Sequence, residues 1–177
     1  MQQYIFPITD AVATDAGRVG PKAANLARMA NAGLPTPPGF CIAAAAYRAQ
    51  IHALGLDTDA RGVMGAAESP AARRHALNMK LGLLDKPIAP EILEPLLAAR
   101  QKLIDDTGAL LCVRSSALVE DRFGSSFAGQ FESFIGIESE IDFITAVRSC
   151  WGALWMTRAL RYMATTTSIR RIRRWAC

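Results

Sequence analysis

Arg114 stands at the end of a short apolar run, Leu110, Leu111, Cys112 and Val113, and opens a polar, glycine-containing stretch that continues to Gln130. The apolar run has the pattern of a buried strand, so the planar five-donor guanidinium would sit where the backbone turns outward. Beyond it, Ser115, Ser116, Ser125, Ser126, Gly129 and Gln130 supply hydroxyl, amide and unobstructed backbone donors. Phosphate oxygens accept hydrogen bonds from several directions, so these residue types suit a phosphate clamp. The alternative is a polar loop carrying a salt-bridged arginine.

A second segment, Val19-Gly20-Pro21-Lys22-Ala23-Ala24-Asn25-Leu26, runs from a glycine into a helical pattern and places Lys22 in the first turn of a helix. The positive end of a helix dipole disfavours an ammonium there unless an anion lies between it and the free backbone N–H groups. A solvated first-turn lysine remains the alternative. Pro21 suits the first helical position, where its missing N–H costs little.

These segments resemble the N-terminal nucleotide-binding region of the pyruvate phosphate dikinase and phosphoenolpyruvate synthase family, whose ATP-grasp domain also occurs in rifampicin phosphotransferases. Four pieces follow in the family's order: VGPKAANL at 19–26, GLPTPPGF at 33–40, VRSSALVED at 113–121 and SFAGQFESF at 126–134. A weaker fifth, CWGALWMTRALRY at 150–162, is similar to a tryptophan-containing helix of those enzymes. The resemblance implies that Lys22 and Arg114, with Ser115, bind ATP phosphates, and that Ser126, Phe127, Ala128, Gly129 and Gln130 form a loop closing over the triphosphate. It implies ATP and magnesium as cofactors, though no carboxylate here is assigned to the metal; Glu120 and Asp121 read as structural. The family's usual Gly-Gly-Lys-Gly appears here as Gly20-Pro21-Lys22-Ala23, so any phosphate contact through the amide at 21 is absent. No catalytic residue can be named.

At 177 residues the chain has room for one well-buried domain or two small lobes sharing a core, not for the second ATP lobe, phosphohistidine domain and barrel that the resemblance implies for complete dikinases. It therefore reads as an ATP-binding lobe that is incomplete and inactive alone. The alternatives are a lobe like that of rifampicin phosphotransferases, or a non-catalytic remnant pairing with a separately encoded second lobe. His52 and His75 read as helix-surface histidines. No stretch reaches the roughly 20 apolar residues of a membrane span, and the N-terminus lacks a signal-peptide pattern, which points to the cytoplasm. Cys41, Cys112 and Cys150 read as small hydrophobes in apolar settings, indicating neither a disulfide framework nor a zinc site.

The net charge of +4 resides in residues 165–177, where Arg170, Arg171, Arg173 and Arg174 meet no acid; residues 1–164 carry 16 basic and 16 acidic side chains. A basic tail alone does not make a nucleic-acid partner. The division is a lobe over 1–164 and a basic tail over 165–177, whose abrupt change of composition suggests a shifted frame or a truncation. A basic amphipathic tail is the alternative, since Ile169, Ile172 and Trp175 recur at helical spacing.

To position these residues the chain offers a strand at 4–8, a helix at 21–31 ended by Gly33, a strand at 40–42, a helix at 43–54 and a loop over 55–68. Helices from Ser69 to 84 and from Pro90 to 106 follow, the latter with Ile92, Leu96, Ala99 and Leu103 as its stripe. Then come a strand at 110–114 and a strand at 131–137 with Ser133, Ile135 and Ile137 on one face. A Ser139-capped helix runs through Ile141, Ile144, Val147, Trp151 and Leu154 to about 164. Trp151 and Trp155 read as core or lobe-interface anchors. The order indicates an α+β fold with a mixed sheet and packing helices, compatible with the first lobe of an ATP-grasp-like nucleotide-binding domain.

Overall fold

The computed structural model describes residues 2–65, 69–116 and 133–156. Strand β1 (Ile5–Pro7) leads through a 3-10 turn (Ala11–Thr14) and a one-turn helix α1 (Ala16–Val19) into α2 (Pro21–Asn31). Strand β2 (Phe40–Ile42) then pairs antiparallel with β1. Its register sets Ile5 opposite Ile42 and Phe6 opposite Cys41. Because successive strand residues face opposite ways, this ribbon divides two apolar clusters. Phe6, Ile8 and Cys41 pack with Ala24 and Ala27 of α2, whereas Ile5, Phe40 and Ile42 belong to the larger core.

That larger core is built by α3 (Ala44–Ala53), α4 (Asp57–Gly65), α5 (Pro70–Asp85), α6 (Pro90–Thr107) and α7 (Glu140–Ala153) around the antiparallel pair β3 (Leu111–Arg114) and β4 (Ser133–Ile137). Met79, Leu83, Ile92, Leu96 and Val147 are fully buried in it. Trp151 and Trp155 are buried too: the Trp155 indole N–H donates to the Tyr47 hydroxyl, and the Tyr47 and Trp151 rings lie 6.1 Å apart. Both tryptophans are thus core anchors, as the sequence suggests. Buried Gln50 uses both ends of its amide, donating to the Pro87 carbonyl and accepting from the Ala89 amide, and so pins the connection into α6.

The α+β class holds, but the expected mixed sheet does not. Among the described residues there are two separate two-stranded antiparallel sheets. Their strands run only three to five residues, and no crossover brings one ribbon beside the other in parallel. The expected loop over 55–68 contains helix α4. Asp57 and Asp59 favour the positive end of its dipole, and Ala60 and Val63 are buried one turn apart. Among the helix positions whose burial is described, two are buried, too few for a visible period.

Two phase assignments also change. Ile135 and Ile137 do not share a face: Ile137 is buried against Leu111, while Ile135 is 80% exposed opposite Cys112. A bulge at Gly136, whose φ of +71° suits a residue without Cβ, inserts one residue and reverses the alternation. On α7 the buried set is Phe143, Ala146, Val147, Trp151, Gly152 and Ala153, and Ile141 is exposed in the first turn. The helix itself ends at Ala153 rather than continuing toward 164, and residues 157–164 lie outside the described residues. Ser139 caps it as expected, its Oγ accepting from the Asp142 amide at 3.0 Å.

Candidate functional site

Helix α2 begins without a local side-chain cap, because its N-cap position is Gly20. The first-turn amides are nonetheless largely satisfied. Pro21 has no N–H, and the Ala24 amide donates to the Gly20 carbonyl at 3.0 Å. The Ala23 amide donates at 2.9 Å to the Oγ of Ser116, 93 residues away in sequence. Gly20, at φ +84°, makes this approach possible. A Cβ there would lie 1.6 Å from the Ser116 carbonyl oxygen, far inside any allowed contact.

The two chemistry-bearing segments of the sequence therefore meet in space. Strand β3 carries Arg114 toward its last position, opposite Ser133, and the chain leaves through Ser115 and Ser116 onto the start of α2. Alternation along β3 buries Leu111, half-buries Val113 and leaves Cys112 and Arg114 on the outer, exposed face. The Arg114 guanidinium makes no ion pair with any described residue. Lys22 is exposed in the first turn of α2, as its sequence context requires.

At the head of α2 the Ala23 amide is engaged by Ser116, and the Ala24 amide makes the first regular helical bond to Gly20. The cationic side chains of these two segments are an exposed ammonium at 22 and an exposed guanidinium at 114. Ser115 is half-buried beside them. Ser126, Phe127, Ala128, Gly129 and Gln130, together with Glu120 and Asp121, lie outside the described residues. Ser116 and Gly20 are the residues whose positional role the sequence left unassigned; the signal was a glycine directly before a proline-initiated helix that lacks its own capping side chain.

Neither histidine joins this site. His52 is exposed and bonds Asp57 at 3.1 Å. His75 is not the plain surface residue its context suggested: its Nδ1 lies 2.8 Å from Asp59 Oδ1, which also accepts from Asn78, tying α4 to α5. Cys112 is exposed rather than in an apolar setting, because the strand's phase turns it outward, whereas Cys41 is buried. Among the described residues no group of three or more His, Cys, Asp or Glu side chains could hold a metal ion. No described helix is long and apolar enough to cross a membrane.

Comparison with known proteins identifies related sequences. Residues 16–170 match the family model described as pyruvate phosphate dikinase, AMP/ATP-binding domain. The chain is 38% identical over 156 residues to the prodigiosin synthesizing transferase PigC of Serratia marcescens, covering 85% of this chain and 16% of that protein. It is 33% identical over 153 residues to a phosphoenolpyruvate synthase of Aeropyrum pernix, covering 81% of this chain and 18% of the relative. A phosphoenolpyruvate synthase of Pyrococcus furiosus is 31% identical over 190 residues, covering 85% and 23%. The chain spans less than a quarter of the length of these three proteins.

Proposed function

The chain belongs to the pyruvate phosphate dikinase AMP/ATP-binding domain family, and we propose that it forms the first lobe of an ATP-grasp-like site in a dikinase-type phosphotransferase. The observation that carries this reading is the contact of Ser116 with Ala23 and Gly20, which joins the Arg114 strand to the Lys22 helix. On this reading Lys22 and Arg114 neutralise the triphosphate, Ser115 donates to a phosphate oxygen, and residues 126–130 close over it. Phosphoryl transfer depends mainly on positioning and charge compensation, which two fixed cations supply without covalent participation. Arginine offers a bidentate fork and lysine a compact point charge, so the pair can grip different oxygens of one polyphosphate. The family resemblance also implies magnesium, to which no carboxylate of this chain is assigned.

In the phosphoenolpyruvate synthase relatives the name points to phosphate delivery toward a pyruvate-derived product, and the same destination is the leading proposal for a protein containing this lobe. The 38% identity to a prodigiosin synthesizing transferase favours a second reading, in which the same ATP lobe serves a different acceptor.

The test is an NMR titration of the purified 177-residue chain with ATP and magnesium. Saturable shifts around Lys22 and Arg114, weakened by Lys22→Ala and by Arg114→Ala, support the reading. Shifts that neither substitution alters would sink it.

A further inference from the structure

Gly20 and Ser116 form a matched pair whose chemistry goes beyond gripping phosphate. A serine or aspartate at 20 would be the ordinary way to cap α2. Here the cap comes from a hydroxyl 93 residues away, and the position that would normally hold it is a glycine at φ +84° with the Ser116 carbonyl in its Cβ space. The hydrogen bond therefore acts as a tie between two distant segments as well as a helix cap. Two residues of extended chain span at most about 7 Å, so fixing Ser116 also limits where the backbone of Arg114 can lie. Ala23 is the direct neighbour of Lys22. One contact thus constrains both candidate cation-bearing positions at once.

We infer that Ser116 is a positioning residue: its Oγ, bound to the Ala23 amide over Gly20, holds Arg114 in register with Lys22 so that both side chains reach one polyphosphate. This inference rests on the phosphate-clamp reading given above. It assigns Ser116 no contact with ATP. A misplaced pair of charges would still attract the ligand, but each would meet it at the cost of reordering its segment, and affinity would fall.

ATP affinity of the full chain, followed by amide shifts in NMR, separates the alternatives. Ser116→Ala is expected to weaken binding by about five- to tenfold, the size of one lost hydrogen bond. Ser116→Thr, which keeps the hydroxyl, is expected to restore it. Gly20→Ala retains the hydroxyl but forces the segments apart, and is expected to weaken binding similarly. Affinity unchanged in Ser116→Ala, or lost equally in the Ala and Thr variants at unchanged melting temperature, overturns the inference. Should Ser116→Ala fail to fold, hydrogen exchange in the wild-type chain decides. Slow exchange at Ala23, slower still with ATP bound, supports the tie; exchange as fast as an unprotected first-turn amide overturns it. If wild-type binding is indifferent to Lys22→Ala and Arg114→Ala, the clamp reading itself has failed, whatever Ala23 shows.

Discussion

Arg114 and a lysine in its place carry the same charge but not the same geometry, and the outer face of β3 gives the side chain no described ion-pair partner whose loss would destabilise the fold. In an assembly that completes the site, Arg114→Lys is expected to weaken phosphate binding by about 1.5–3 kcal/mol, the worth of a charge-assisted hydrogen bond. The melting temperature should stay almost unchanged. A collapse of stability with activity per folded molecule intact would instead make Arg114 structural. The cysteines separate by the same logic of facing. Burial pushes the Cys41 thiol up from 9.0 to about 11, so little thiolate is present at pH 8, while Cys112 is open to reagent. A thiol reagent at pH 8 is expected to modify Cys112 quickly and Cys41 only after denaturation; equal rates in the native chain would contradict the assigned strand phase. Because the folded value exceeds the unfolded one, the contribution of Cys41 to stability is present below about pH 9. It is lost as pH rises toward about 11.

Helix α4 shows how an element with little intrinsic signal is held. Asp59 accepts from both His75 and Asn78 of α5, and Ala60 and Val63 supply its buried face. Asp59→Ala is expected to cost about 1 kcal/mol, since two part-exposed side-chain hydrogen bonds are lost. Amide exchange should accelerate across residues 57–65 before it does in α6. Uniform loss of protection in both helices would mean that α4 opens only with the whole domain. At the opposite end, Ser139→Ala removes the cap of α7 and should lower stability by about 0.5–2 kcal/mol. Denaturant unfolding would show this as a lower midpoint with an unchanged slope.

At the scale of the molecule, the chain has a continuous helical core but covers less than a quarter of the three relatives compared above. On the proposed reading these residues form one jaw of a clamp, which leaves the adenine and the metal side open to water. The 177-residue chain alone is therefore expected to bind ATP weakly and to release no phosphate above background. Micromolar affinity in calorimetry, or measurable turnover, would refute the half-site reading. Removing residues 165–177, whose composition departs from the balanced charge of the remainder, should leave stability within about 0.5 kcal/mol, as for a segment outside the core. A larger drop would assign that segment to the fold.

Local signals were enough for much of this molecule. Pro21 and Gly33 bracket α2, Ser69 and Ser139 mark the starts of α5 and α7, and the spacing of Ile92 and Leu96 shows the buried face of α6, because capping and helical periodicity are written within a few residues. The motifs around Lys22 and Arg114 were likewise legible, and with them the family. Helix α4 was not, since its stability comes from Asp59 meeting His75 and Asn78 across 16 and 19 positions. Nor was the phase of β4, which one bulged glycine reverses, or the splitting of the strands into two antiparallel ribbons. Above all, the sequence named two cationic segments without saying that they touch. A hydrogen bond between Ala23 and Ser116 depends on where the chain returns 93 positions later, and that is set by the packing of the core rather than by any local pattern.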